Sequence, residues 1–181
     1  MSINEGNLNS ADDPTHVIID DSSLLPGIDH VSEKLHSGEI FSINRADTFA
    51  LNDEIGFVFE CDADIDVHLQ FSLDSSDDVS SYLYEAPTYT GGTAVPTIYN
   101  RNRNSTNTPE AVVKYLVTVT DNGTELEGFL GGSSGGNKTA ATGVRKAWVL
   151  KRGTNYLLTF KSLAPGNKIN TSILFYEEDF S

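Results

Sequence analysis

The sequence predicts an all-β protein: an antiparallel β-sandwich behind an extended N-terminal arm. Three observations carry this. First, the apolar period is two: Ile55, Phe57 and Phe59 line one face of a segment, and Ile65, Val67, Leu69, Phe71 and Leu73 line one face of the next, with Asp64, Asp66, His68 and Gln70 opposite. Second, Ala111 to Thr120 reads AVVKYLVTVT, rich in the β-branched residues that fit a pleated surface. Third, turn-forming clusters recur between such segments, at Asp74 to Asp78, Asp121 to Gly123, Arg152-Gly153 and Ala164 to Asn167. No segment holds helical spacing for more than two turns.

Taken in order, residues 1–37 read as an arm and 38–181 as the sandwich domain. The arm is acidic and rich in Asn and Ser, with Val17, Ile18, Ile19, Leu24, Leu25 and Ile28 as its apolar anchors. Pro26-Gly27 stops any helix that Asp20 to Leu25 might begin. Such an arm is either a frayed terminus or a segment that orders on a neighbouring subunit. After the two alternating strands, Val79 to Glu85 forms another, which Ala86-Pro87 ends because proline has no N–H to give. Gly91-Gly92 permits a turn at positive φ. The run Asn100-Arg101-Asn102-Arg103-Asn104 has no apolar member and is expected to stay wet or pair with another chain. Asp121-Asn122-Gly123 turns the chain so that Leu126 to Leu130 returns as a hairpin partner of the 111–120 strand. A Gly/Ser loop begins at Gly131, and Lys146–Lys151, Tyr156–Lys161 and Ile169–Tyr176 close the set, about eight to ten strands in all.

The charge narrows the function. Asp and Glu number 26 against 12 Lys and Arg, which disfavours a nucleic-acid groove, since phosphate binding needs clustered cations. The imbalance is uneven: residues 1–100 carry 19 acids and only Lys34 and Arg45 as bases, whereas 101–181 carry ten bases and seven acids. Simple solvation explains this, and so does an acidic edge that meets a basic surface on a neighbour. The single Cys61 excludes an intrachain disulfide and reads as a small buried apolar residue. With no basic-then-apolar leader and no long apolar run, neither secretion nor a membrane partner is expected.

Motifs for chemistry are thin. Gly131-Gly132-Ser133-Ser134-Gly135 fits G-x-S-x-G literally, but a nucleophile elbow needs a strand before the serine and a helix after it, and the flanks here are Gly, Ser and Asn. Asp62, Asp64, Asp66 and His68 alternate and would share one strand face, offering oxygen ligands to a cation or a basic partner, or forming a plain solvated acidic face. Val67 and Leu73 stand where an EF-hand needs Gly and Glu. Histidines 16, 30, 36 and 68 are too scattered to suggest a zinc site. A carboxylate pair for glycoside hydrolysis meets only in space and cannot be read from sequence. Trp148 reads as a core or interface anchor before a sugar platform. Tyr82, Tyr84, Tyr89 and Tyr99, with the Asn/Arg run, suit either a glycan or a protein interface.

The succession of LYEAPT (Leu83 to Thr88), YNRNRNS (Tyr99 to Ser105), a strand around Trp148, RGTNYLL (Arg152 to Leu158) and FYE (Phe175 to Glu177) resembles small virion proteins of tailed bacteriophages, over roughly residues 38–177. The resemblance implies a jelly-roll-like decoration or cement protein on the outer capsid surface. It would be non-enzymatic and without cofactor or metal, bound to the major capsid protein and to itself as a homo-oligomer, a trimer at a symmetry axis. On that reading the contact residues are Val17, Ile18, Ile19, Leu24 and Leu25 of the arm, with Tyr89, Tyr99, Arg101 and Arg103 of the long connection. The alternative is a glycan- or receptor-binding module of a phage tail or fibre, built from the same loops.

Overall fold

A computed structural model describes residues 26–94, 97–132, 141–142 and 146–179. The chain divides into two compact units, 1–33 and 34–181. Helix α1 (Pro26–Ser37) runs across that division, and it corrects the expectation that the arm is extended to residue 37. Pro26, read as a stop, is a start, because in the first helical turn its missing N–H has no bond to make. Lys34 and His36 sit in the last turn, where cations suit the helix dipole. Gly38 closes the helix at φ +76°, its N–H donating to Leu35 O (3.2 Å) and the Glu39 N–H to Lys34 O (3.0 Å). The arm anchors Val17, Ile18, Ile19, Leu24 and Leu25 lie outside the described residues.

The strands are β1 (Ile40–Phe49), β2 (Glu54–Glu60), β3 (Ile65–Ser75), β4 (Val79–Glu85), β5 (Thr88–Ala94), β6 (Tyr99–Asn100), β7 (Val112–Asp121), β8 (Thr124–Gly131), β9 (Ala141–Thr142), β10 (Lys146–Leu150), β11 (Asn155–Ser162) and β12 (Asn167–Asp179). Among the described residues they form two six-stranded sheets. One runs β10-β3-β12-β1-β6 with β9 also on β3; the other runs β5-β7-β2-β11-β4-β8. Every pairing is antiparallel.

The inner faces of both sheets contribute to one apolar cluster, a sandwich-like arrangement. Its members are those the alternation picked out: Ile55, Phe57 and Phe59 of β2, and Ile65, Val67, Leu69, Phe71 and Leu73 of β3, are all buried. Ring pairs join the layers edge to face, Phe59 to Phe175 at 5.6 Å and Phe71 to Phe160 at 6.4 Å between centroids. Trp148 packs against the cluster from β10, and its indole N–H donates to Glu127 of β8 (2.9 Å), linking an edge of one sheet to an edge of the other.

One expected pairing is overturned: β8 does not fold back on β7. It pairs with β4, while β7 pairs with β2 and β5. Glu85 lies opposite Thr124 and Thr88 opposite Asp121, so the register carries across the break. The β4–β5 and β7–β8 segments are thus two long strands of a single ribbon, bent at Ala86-Pro87 and Asn122-Gly123. Ala86 (φ +58°) and Gly123 (φ +81°) make the bend. A Cβ on Gly123 would stand 2.2 Å from Glu85 O, so the two strands approach too closely there for any side chain. The Asp-Asn-Gly signal correctly marks a change of direction but not a reversal. Gly91 and Gly92 do have positive φ, yet they stay inside β5 and do not turn the chain.

Candidate binding surface

The outward face of the second sheet is built by register. One row reads Lys114, Val58, Leu157, Tyr84, Glu125 across β7, β2, β11, β4 and β8; the next reads Gly56, Thr159, Tyr82, Gly128. Val58 and Leu157 are fully buried although they point away from the central cluster, so this face has an apolar floor of its own. Tyr82 and Tyr84, two residues apart on β4, stack at 5.8 Å between centroids. A Cβ on Gly128 would come within 2.8 Å of the Tyr82 ring, so that ring lies across the glycine. Beside the pair is an open trough of about 430 Å³, lined also by Leu130, Leu163, Glu54, Glu125 and Lys161. Leu130 is 71 % and Leu163 40 % exposed. Burial, then the charge of Glu125, pushes the Tyr84 hydroxyl pKa upward. The trough therefore offers two aromatic rings and two leucines beside charged groups (Glu54, Glu125, Lys161) and neutral polar ones (Ser80, Asn122, Thr159).

Elsewhere several ionisable groups are engaged in pairs. Asp62 and Asp64 fall in the bend before β3, so the expected four-residue acidic face is reduced to Asp66 and His68. Asp62 shapes that bend, accepting from the Asp64 N–H (3.2 Å) and, through its carbonyl, from Gly153 N–H (2.9 Å). Arg152 grips Asp66 with two bonds (2.5 and 2.9 Å) and holds its carboxyl below the ordinary carboxylate range. His68 faces Glu178 (3.2 Å) and stacks on Tyr176. Burial alone would raise the Glu60 carboxyl, but hydrogen bonds from Lys114 (2.6 Å) and Tyr89 outweigh it and bring it down. Glu177 accepts from the backbone N–H groups of Glu110 and Ala111 (2.9 and 2.7 Å). Among the described residues no group of three or more His, Cys, Asp or Glu is placed to hold a metal ion. Ser133 and Ser134 lie outside the described residues.

The residues proposed as contacts are dispersed. Tyr89 donates its hydroxyl to Glu60 under Lys114 and is half-buried. Tyr99 is exposed, with the Arg103 guanidinium 5.8 Å from its ring centre, and Arg101 is exposed beside β3 and β12. Tyr89 and Tyr99 are therefore not part of the Tyr82–Tyr84 platform. The polar run differs from expectation too. Asn100 is buried and donates to Gly38 O (2.7 Å) and Asn107 O (3.1 Å), while Asn102 and Asn107 donate to the helix-end carbonyls of His36 (2.7 Å) and Ser37 (3.1 Å). These asparagines satisfy carbonyls that the end of α1 leaves without partners. Leu130, Leu163, Glu54 and Lys161 carry no signal in the sequence, because only strand order brings them beside Tyr82 and Tyr84.

No protein-family model matches the chain, and no curated protein is similar to it at a significant level.

Proposed function

We propose that the chain is a non-enzymatic structural protein of a tailed-phage virion, a jelly-roll-like decoration protein that binds the outside of the capsid shell through the outward face of its second sheet. The observation that carries this reading is the composition of that face. Stacked tyrosines and exposed leucines line a trough together with Glu54, Glu125 and Lys161 and the polar Ser80, Asn122 and Thr159, and such a mixture of tyrosine, aliphatic carbon and polar groups is of the kind found at protein interfaces. Such a contact, repeated over a lattice, gives high occupancy from individually modest affinities. Purified protein mixed with expanded shells should co-sediment, more weakly as salt rises, and Tyr82→Ala with Tyr84→Ala should reduce binding by about tenfold or more. Absence of co-sedimentation at every ionic strength would remove the reading.

A second reading, a glycan-binding module of a tail or fibre, is favoured by the same tyrosine pair. Two aromatic rings beside Ser80, Asn122 and Glu125 offer both a stacking surface and hydroxyl partners for a sugar. A glycan array separates the two: saturable binding that Tyr84→Ala abolishes would favour the module.

A further inference from the structure

Strand β1 is the last long strand of the first sheet, with only the two-residue β6 outside it. Its other side is paired with β12 in unbroken register from Ile40 to Phe49, but on the outer side β6 covers only Phe41 and Ser42. Ile40 O accepts from Arg101 N–H (2.8 Å) toward that outer side. Because alternate residues of a strand use alternate edges, Asn44, Ala46 and Thr48 turn their N–H and C=O groups the same way. No described strand meets them. The segment has no proline and no bulge, the usual guards of an exposed edge. It does carry two charges, Arg45 and Asp47, which share a face and pair along the strand, with the Arg45 guanidinium 5.0 Å from the Tyr115 ring centre.

We infer that this edge is a two-fold contact between copies of the chain, formed by antiparallel pairing of β1 with β1 about Ala46. The register follows from the free groups. Ala46 faces Ala46 of the second copy and Asn44 faces Thr48, residues that no described strand pairs on this side. Arg45 then stands opposite Asp47 of the second copy, and Asp47 opposite Arg45, in the close, non-hydrogen-bonded positions where cross-strand pairs interact most. A single charge at an edge repels a second copy, whereas opposite charges two residues apart attract one. A guanidinium has five donors, so Arg45 bridges both carboxylates. The pairing also stops where β6 begins, and there the turn after Phe49 of the second copy brings its exposed Leu51 toward exposed Tyr99. Joining the two edges makes one continuous sheet across the dimer. The contact closes at two copies, so it does not build the three-fold assembly implied by the phage resemblance, and it stands whether or not shells are bound.

Sedimentation velocity on the full chain tests it, with charge reversals designed so that repair inside one chain cannot imitate repair between chains. Wild type is expected to dimerise with rising concentration. Arg45→Asp and Asp47→Arg alone should each weaken dimerisation by about tenfold or more, since each sets two pairs of like charge across the axis. Mixed in equal amounts they should dimerise again, because one edge then carries only anions and the other only cations. Ala46→Pro, which removes an N–H that meets no partner strand among the described residues, should abolish the dimer while leaving the unfolding midpoint nearly unchanged. Wild type that stays monomeric up to about 1 mM would overturn the inference. So would a mixture that stays monomeric, or an Ala46→Pro protein that dimerises as wild type does; the wild-type concentration series and the Ala46→Pro protein decide even if one charge variant fails to fold.

Discussion

Cys61 shows how a single side chain can be made inert by its surroundings. It is buried and unpaired, and burial, helped by the nearby charge of Glu177, pushes its thiol up to about 12. At about pH 8, close to the ordinary thiol value, a thiol reagent should leave it unmodified in the native protein and label it once denaturant is added; prompt native labelling would contradict its placement. Asp66 behaves in the opposite sense. Arg152 binds its ionised form and lowers its pKa in the fold. A carboxyl lowered in this way stabilises the fold above its unfolded value of about 3.9, and the contribution is lost as pH falls through the folded value. The difference in stability between wild type and Asp66→Asn, modest because the pair is solvent-screened, should therefore shrink in acid; a gap independent of pH would show that the ion pair is not its source. Cys61 was legible from its place in an alternating segment. The fate of Asp66 was not, because Arg152 lies far along the chain and only the sheet brings them together.

At the scale of elements, ring pairs tie the two sheets together within the shared apolar cluster. Phe59→Ala, at a fully buried position edge-on to Phe175, should cost about 3–5 kcal/mol by chemical denaturation, while Leu130→Ala on the surface should stay within about 0.5 kcal/mol of wild type. Gly123→Ala should be markedly worse than Gly166→Ala: both positions have positive φ, but Gly166 has open space around it and Gly123 has Glu85 O in the way. Equal losses would mean that the ribbon bend is not the tight crossing described. Strand positions and buried faces could be read from the chain because a period of two states which side chains share a side. Helix α1 could not, since Pro26-Gly27 is the same signal whether a helix stops or starts there. Nor could the ribbon, since Asp121-Asn122-Gly123 encodes a bend and the choice of neighbour depends on β2 and β4, both distant in sequence.

For the whole molecule, both proposals concern exposed surfaces: a face with stacked tyrosines on one sheet and, among the described residues, an edge left uncovered on the other. The first draws on β2, β4, β8 and β11, so its two tyrosines were legible as candidates and its remaining members were not. The edge was hidden for the same reason, because nothing in Asn44 to Thr48 announces that β6 will cover only two residues of β1. The proposal that these surfaces serve a capsid is decided by labelling intact phage particles, prepared from the source of the chain, with an antibody to it. Regular labelling over the head exterior is expected, lost when Tyr82 and Tyr84 are both changed to alanine; labelling absent from the head, or confined to the tail tip, would contradict the proposal.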